Sequence, residues 1–327
     1  MSRTRPRRCA RSVLLLAARR PGGTCGSGFG ADNAGPVAER EERRPREGIE
    51  ISEMAASTLS LQEIERARAY RWRTEDDRRV ADERGALRFI RELGFVLLMP
   101  ISGSELPSLH AATRDSWAWW DWKQTLPGRR ACYYAKLLRR RGTFVSWEWF
   151  PRFYAAYADP RPYWRQYREG LLSREEKQIL DLLAERGPLM TRDIRLAYGP
   201  RSKANTRLVK SVLVELQRRF LITAAGGSTE GWSHHRWDLV DRWVRGDLLL
   251  QAQRTPQHEA RAALILQHVR NALATTPADI AWLFGWERPV VEAAVRELLE
   301  VGEVEMAYVP DLESAVLVPR PWPGWRG

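Results

Sequence analysis

A mainly α-helical protein with small β-hairpins, α+β in class, is what this sequence predicts, and three observations predict it. Residues 171–240 read as helix, short helix, longer helix, then two short strands. Residues 257–320 repeat that order about 85 positions later. Glycines, prolines and capping residues fall where each element should begin or end. Helix, helix, recognition helix and hairpin is the winged-helix order, so the expected architecture is tandem winged-helix units. Expected boundaries are 58–170 for an N-terminal helical, winged-helix-like region, 171–245 for one winged helix and 246–327 for a second.

Residues 1–57 stand apart. RTRPRR, PGGTCGSGFG and EREERRPRE are rich in Gly, Pro and charge without apolar periodicity, so disorder is expected. Val13–Ala18 is shorter than the apolar core of a signal peptide. Met54 is a plainer candidate for the natural start, just before ordered-looking sequence.

Ser60 with Glu63 three places on forms a capping-box pattern that starts a helix. Ala86–Leu93 is a second amphipathic helix, stopped by Gly94. Phe95–Met99 is a short apolar run ending at Pro100, readable as a buried strand or a helix end. Four tryptophans between 117 and 122 read mainly as core, followed by a basic stretch and the aromatic run 144–157. Ser173 begins the helix Arg174–Arg186, which Gly187-Pro188 ends. Thr191 is expected to cap a short helix reaching Tyr198. Ser202–Arg219 is the longer helix, 221–225 a strand, Gly226-Gly227-Ser228 a turn and 233–240 the return strand. In the second set, helix 257–273, Thr276-Pro277 leading a helix to Leu283, helix 288–301 and the strands 303–309 and 315–319 follow.

Charge points toward nucleic acid. There are 53 Lys and Arg against 41 Asp and Glu, a net +12. A basic surface draws phosphate by steering and counterion release. Nearly all of that charge is arginine, which a GC-rich genome would also produce, so the distribution matters more than the total.

The 202–219 helix separates by face. At about 100° per residue, Leu208, Val209, Val212 and Leu216 cluster on one side. Lys203, Arg207 and Lys210 project from the other, beside Thr206, as a helix in a major groove requires. Arg218 and Arg219 close it, and His234, His235 and Arg236 lie on the hairpin, where a wing meets phosphate. The alternative is a solvated basic face. The corresponding helix of the second set exposes Glu292, Arg296, Glu297 and Glu300, which reads as packing support or a protein contact. A second basic stretch carries Arg129, Arg130, Lys136, Arg139, Arg140 and Arg141 around Tyr133 and Tyr134. It is either a second DNA contact, with rings available for stacking, or a core segment with a solvated rim.

Leu59-Ser60-Leu61-Gln62, the run Ala86-Leu87-Arg88-Phe89-Ile90-Arg91-Glu92-Leu93-Gly94 and the two later units together resemble the AlkZ/YcaQ group of bacterial winged-helix proteins. That group includes DNA glycosylases that unhook interstrand crosslinks and release alkylated bases. The resemblance implies winged helices cradling duplex DNA, damaged or intact, and a repair role. It also implies a polar pair, Gln and then Asp or Gln, in the run after the Leu-Gly pair. Leu97 and Met99 stand there, around Leu98, and neither can orient water or stabilise an oxocarbenium-like sugar. Catalytic residues are therefore unassigned, with Glu105 and His110 the nearest polar groups, each readable as a cap or surface residue. A non-catalytic DNA-binding regulator and a protein-interaction scaffold are the alternative functions.

Other chemistries lack their residues. The three cysteines Cys9, Cys25 and Cys132 form neither a disulfide framework nor a zinc knuckle, which suits a reducing cytoplasm and a nucleoid-associated protein. No Walker loop, Gly-x-Ser-x-Gly elbow or metal-ligand spacing occurs, so no cofactor or metal is expected. No apolar stretch approaches the roughly 20 residues that cross a bilayer.

Overall fold

Capping chemistry sets the first helix. After a two-residue strand β1 (Ser57–Thr58), the Ser60 hydroxyl accepts from the Glu63 N–H at 3.2 Å, and the Glu63 carboxylate accepts from the Ser60 N–H at 2.8 Å. This closes the predicted capping box at the head of α1 (Leu61–Arg71). Asp82 caps α2 (Glu83–Leu93), and Gly94 at φ +77° ends it. Then come β2 (Phe95–Leu97), α3 (Leu109–Ala112), α4 (Ala118–Gly128), β3 (Tyr133–Lys136), β4 (Gly142–Val145), α5 (Phe150–Tyr157) and α6 (Tyr163–Arg168). These elements come from a computed structural model that describes residues 57–114, 117–229 and 234–323. The expected disorder of 1–57 and the proposed start at Met54 concern residues that, but for Ser57, lie outside the described ones.

Strands β2, β4 and β3 form an antiparallel sheet in that order. It is buried on both faces. Val96, Tyr134 and Phe144 join one core with α2 and α4. Phe95, Leu97, Tyr133, Ala135 and Val145 join another with α5. Neighbouring residues of a strand point to opposite faces, so two cores demand apolar side chains at consecutive positions. This is why the 95–98 run shows no alternation. The basic stretch, left open between rim and DNA contact, becomes the β3–β4 hairpin, with Arg139 and Arg140 at its turn in the positive-φ region.

The next set runs α7 (Arg174–Arg186), β5 (Leu189–Met190), α8 (Thr191–Tyr198), α9 (Lys203–Arg218), β6 (Ile222–Ser228) and β7 (His234–Leu239). β7 lies between β5 and β6, antiparallel to both. Two short helices, α10 (Val240–Trp243) and α11 (Gly246–Arg254), lead to α12 (Gln257–Ala272), α13 (Pro277–Phe284), α14 (Arg288–Glu300), β8 (Val304–Val309) and β9 (Ser314–Pro319). The two sets match beyond helix order. β5, between the first and second helices of its set, pairs with the second hairpin strand. Thr275, at the same place in the later set, bridges Leu317 of β9. β1 adds to this later sheet, parallel to β8.

Local expectations differ at four points. Thr191 is the first residue of α8 rather than its cap; its hydroxyl accepts from the Trp237 indole at 2.8 Å and donates to the His235 carbonyl at 3.2 Å. Gly226 and Gly227 lie within β6, at a bulge, instead of forming a turn. Gly226, φ +99°, packs on α4, and a Cβ there would meet the Gly128 Cα at 3.0 Å. Leu208 is 39% exposed while Leu213 takes its place inside. At helical spacing the buried arc of Val209, Val212, Leu213 and Leu216 leaves Leu208 about a quarter turn outside. Of the tryptophans, Trp119 and Trp122 are core, but Trp117 is 71% exposed.

Candidate nucleic-acid interface

Helix α9 is positioned by its cap and its apolar arc. The Asn205 N–H donates to the Ser202 hydroxyl at 3.0 Å, and the Val209–Leu216 arc seats the helix on α7, α8 and the β6–β7 hairpin. Lys203, Thr206, Arg207 and Lys210 are all exposed, as their wheel positions require. The C-terminal half meets β3 instead of solvent: buried Gln217 accepts from the Lys136 N–H at 2.9 Å and donates to the Leu213 carbonyl at 2.7 Å. The chain thus folds its basic hairpin against its basic helix.

Between them lies a cleft of about 850 Å³. Helix α9 lends Thr206, Lys210, Leu213, Val214 and Gln217. The β3–β4 hairpin lends Tyr134, Lys136, Arg140, Arg141 and Gly142. β7 lends His234, His235 and Trp237, α4 lends Trp120 and Lys123, and α8 lends Thr191 and Arg195. Leu98, Met99 and Pro100 close one side. Among the described residues no aspartate or glutamate lines it. Of its six Lys and Arg residues only Arg140 has a carboxylate partner among the described residues, Glu215 at 2.9 Å.

The cleft unites Thr206, Lys210, Lys136, Arg140, Arg141, His234 and His235 from the sequence reading. Lys203, Arg207 and Arg236 are exposed outside it. Other expected contacts are engaged within the protein. Arg129 pairs with Glu83 at 2.9 Å, and Arg130 stacks on Trp243 at 4.2 Å. Arg139 lies over Trp282 at 4.7 Å. Arg218 pairs with Glu215 at 3.0 Å, and Arg219 donates to the Leu171 carbonyl. The cleft also includes residues the sequence did not single out: Trp120, Lys123, Arg195 and Gln217.

Burial, and after it the neighbouring positive charge, changes how these groups titrate. Burial, with Lys136 adding and Asp121 opposing, pushes Lys123 down to about 8. Its ammonium sits 2.7 Å from the centre of the Trp120 ring. Burial, then Lys210 and Arg141, also lowers Lys136. Burial foremost, then Lys123, Lys136 and His234, lowers His235 to about 3, so it is neutral at physiological pH.

The residues considered for catalysis lie elsewhere. Leu97 is fully buried in the core, and Met99 is 46% exposed at the edge of the cleft. Glu105 pairs with Arg68 at 3.0 Å in the interior, and His110 packs on Trp119 at 5.0 Å; neither lines the cleft. Among the described residues no group of three His, Cys, Asp or Glu side chains is placed to hold a metal, and no helix is long and apolar enough to cross a membrane.

The fold and cleft define an α+β protein with a cationic cavity between a helix and a hairpin, lined by no carboxylate among the described residues. Comparison with known proteins supplies the family: the model of the AlkZ-related family matches residues 80–285, and the chain belongs to it. Its structure is similar to that of the Streptomyces sahachiroi DNA glycosylase AlkZ, with a TM-score of 0.53 at 15% identity, over 80% of this chain and 70% of that one. At that identity the likeness is one of fold. No curated protein matches the chain.

Proposed function

We propose that this protein binds DNA, through tandem winged-helix units, in a DNA-repair role resembling that of the glycosylases. One observation carries the reading: four elements far apart in sequence deliver six cations to a single cleft that no carboxylate among the described residues lines. An arginine-rich composition by itself would scatter positive charge, and elsewhere in this molecule several arginines, Arg129, Arg161 and Arg242 among them, sit beside acidic partners. The cleft is too small for a duplex, whose major groove alone is about 12 Å wide. The duplex runs across the opening, with phosphates held by Lys210, Arg141 and Arg195.

A binding role without base excision is the second reading. It is favoured by Leu97 and Met99, which stand where a water-orienting polar pair would be needed, the first buried in the core and the second at the cleft edge.

Binding of a fluorescent duplex, titrated between 50 and 200 mM salt, tests the first statement. Each lost phosphate contact lowers the slope of log affinity against log salt by about 0.9. Lys210→Ala with Arg141→Ala should flatten it by about 1.8. An unchanged slope and affinity would return the molecule to the scaffold reading. Alkali-labile sites after incubation with crosslinked or alkylated duplex separate excision from binding alone.

A further inference from the structure

We propose that Lys123 is a reactive amine that captures the aldehyde of an abasic sugar held in the cleft, forming an imine at C1′. The inference rests on the DNA-binding reading and adds chemistry to it.

Lysine is scarce here, only Lys123, Lys136, Lys177, Lys203 and Lys210 in the whole chain. Lys123 is 4% exposed yet forms part of the cleft wall. Its ammonium faces the Trp120 ring, and no carboxylate among the described residues pairs with it. The groups facing it are cationic or neutral: Lys136 from β3 and His235 from β7. Asp121 on its own helix is the acid that acts on it. A desolvated lysine beside other cations is how proteins make an amine nucleophilic. With a pKa of about 8, roughly a quarter of Lys123 is neutral at pH 7.5. An ordinary lysine is neutral at about one part in a thousand there, some two hundredfold less.

His235 supplies an independent sign of a ligand. Its Nδ1 is buried without a hydrogen-bond partner among the described residues, in a ring already forced neutral. Such an atom wants a partner, a donor or an acceptor according to the tautomer, and the hydroxyl of a carbinolamine can be either. The neighbouring cations suit the two phosphates that flank an abasic sugar, and a nucleotide without its base needs little of the cavity.

The step balances without an oxidant. The Lys123 lone pair attacks C1′ of the ring-opened sugar, and a C–N bond forms. The nitrogen gives up its protons, the former carbonyl oxygen takes them, and that oxygen leaves as water. The product is the imine.

The test uses the full chain and a duplex with one abasic site, made by removing a uracil, in sodium cyanoborohydride. Binding of the same duplex is followed in parallel by fluorescence anisotropy. A covalent complex on a denaturing gel is expected, with the reduced adduct mapping by mass spectrometry to Lys123. Lys123→Met should lower its yield at least tenfold. Lys177→Met, which removes an ammonium paired with Asp181 outside the cleft, should leave the yield unchanged. The adduct rate should level off just above pH 8 instead of climbing to pH 10. Binding without an adduct, or an adduct mapping to another lysine or the terminal amine, overturns the inference and leaves the DNA-binding reading standing. Failure of the wild-type chain to bind removes both.

Discussion

Removing Arg68 tests how the N-terminal helices are fastened to the C-terminal set. Arg68 is 7% exposed. Its Nε donates to the Ala272 carbonyl at 2.8 Å and its Nη2 to the Ala274 carbonyl at 2.6 Å. These cover backbone acceptors just where α12 ends, which a helix end leaves unsatisfied. The same Nη2 pairs with Glu105 at 3.0 Å. Arg68→Met strands the buried carboxylate and both carbonyls. Breaking a buried pair from one side costs about 3–5 kcal/mol. For a domain of this size that lowers Tm by roughly 6–20 °C. Glu105→Gln should behave differently, because an amide oxygen can still accept from Arg68, whose guanidinium keeps both carbonyls. Burial raises the Glu105 carboxyl above the ordinary carboxylate range despite Arg68. A raised folded-state pKa means that its contribution to stability is complete below the unfolded value, about 4.5, and is lost as pH rises through the folded value. At pH 7 the charged form therefore works against folding, and Glu105→Gln should be neutral or stabilising, its advantage over wild type growing from pH 4.5 to 7. Thermal unfolding followed by tryptophan fluorescence at several pH values measures both variants. A tolerated Arg68→Met, or a Glu105→Gln that loses more than about 1 kcal/mol at pH 7, would refute the reasoning.

Two further substitutions probe the cleft walls. Gly226→Ala puts a Cβ in the positive-φ region against the Gly128 backbone, and should cost about 1–3 kcal/mol in urea unfolding, with α4 forced off the hairpin. Gln217→Leu leaves the Lys136 N–H without its acceptor; about 1–3 kcal/mol of stability should go with it, and hydrogen exchange at that amide should accelerate.

Much of the fold was legible because its signals are local. Ser60 with Glu63, Ser173 with Glu176, and Thr276 with Asp279 each announce a helix within four residues, and each cap forms. The cleft was less legible because its parts span residues 98–237 and meet only in three dimensions. Lys123 reads as an ordinary helix residue just after four tryptophans. Its scarcity as a lysine was the one available signal. Gly226 and Gly227 looked like a turn since glycine serves either a bend or a close approach; the approaching backbone, Gly128, lies almost a hundred residues earlier. The tertiary pairing of Arg129, Arg130 and Arg139 was equally hidden, for a run of arginines does not reveal which ones already have partners.

The charge of the cleft also bears on which chemistry it favours. Cleaving a bond between a sugar and a neutral base develops positive charge on the sugar. At an effective dielectric of about 20, a cation some 8 Å away opposes that charge by about 2 kcal/mol. Five cations without carboxylate partners or an acid in the wall among the described residues would add to the barrier instead of lowering it. A base already carrying positive charge, as an alkylated purine does, escapes much of this penalty, because its charge only moves from base to sugar and the total in the cleft does not rise. Phosphates escape it altogether and are attracted. Burial, with Lys136 adding to it, keeps Lys123 partly neutral, so under the proposed DNA-binding role the arrangement suits holding a damaged or abasic nucleotide better than attacking an intact one.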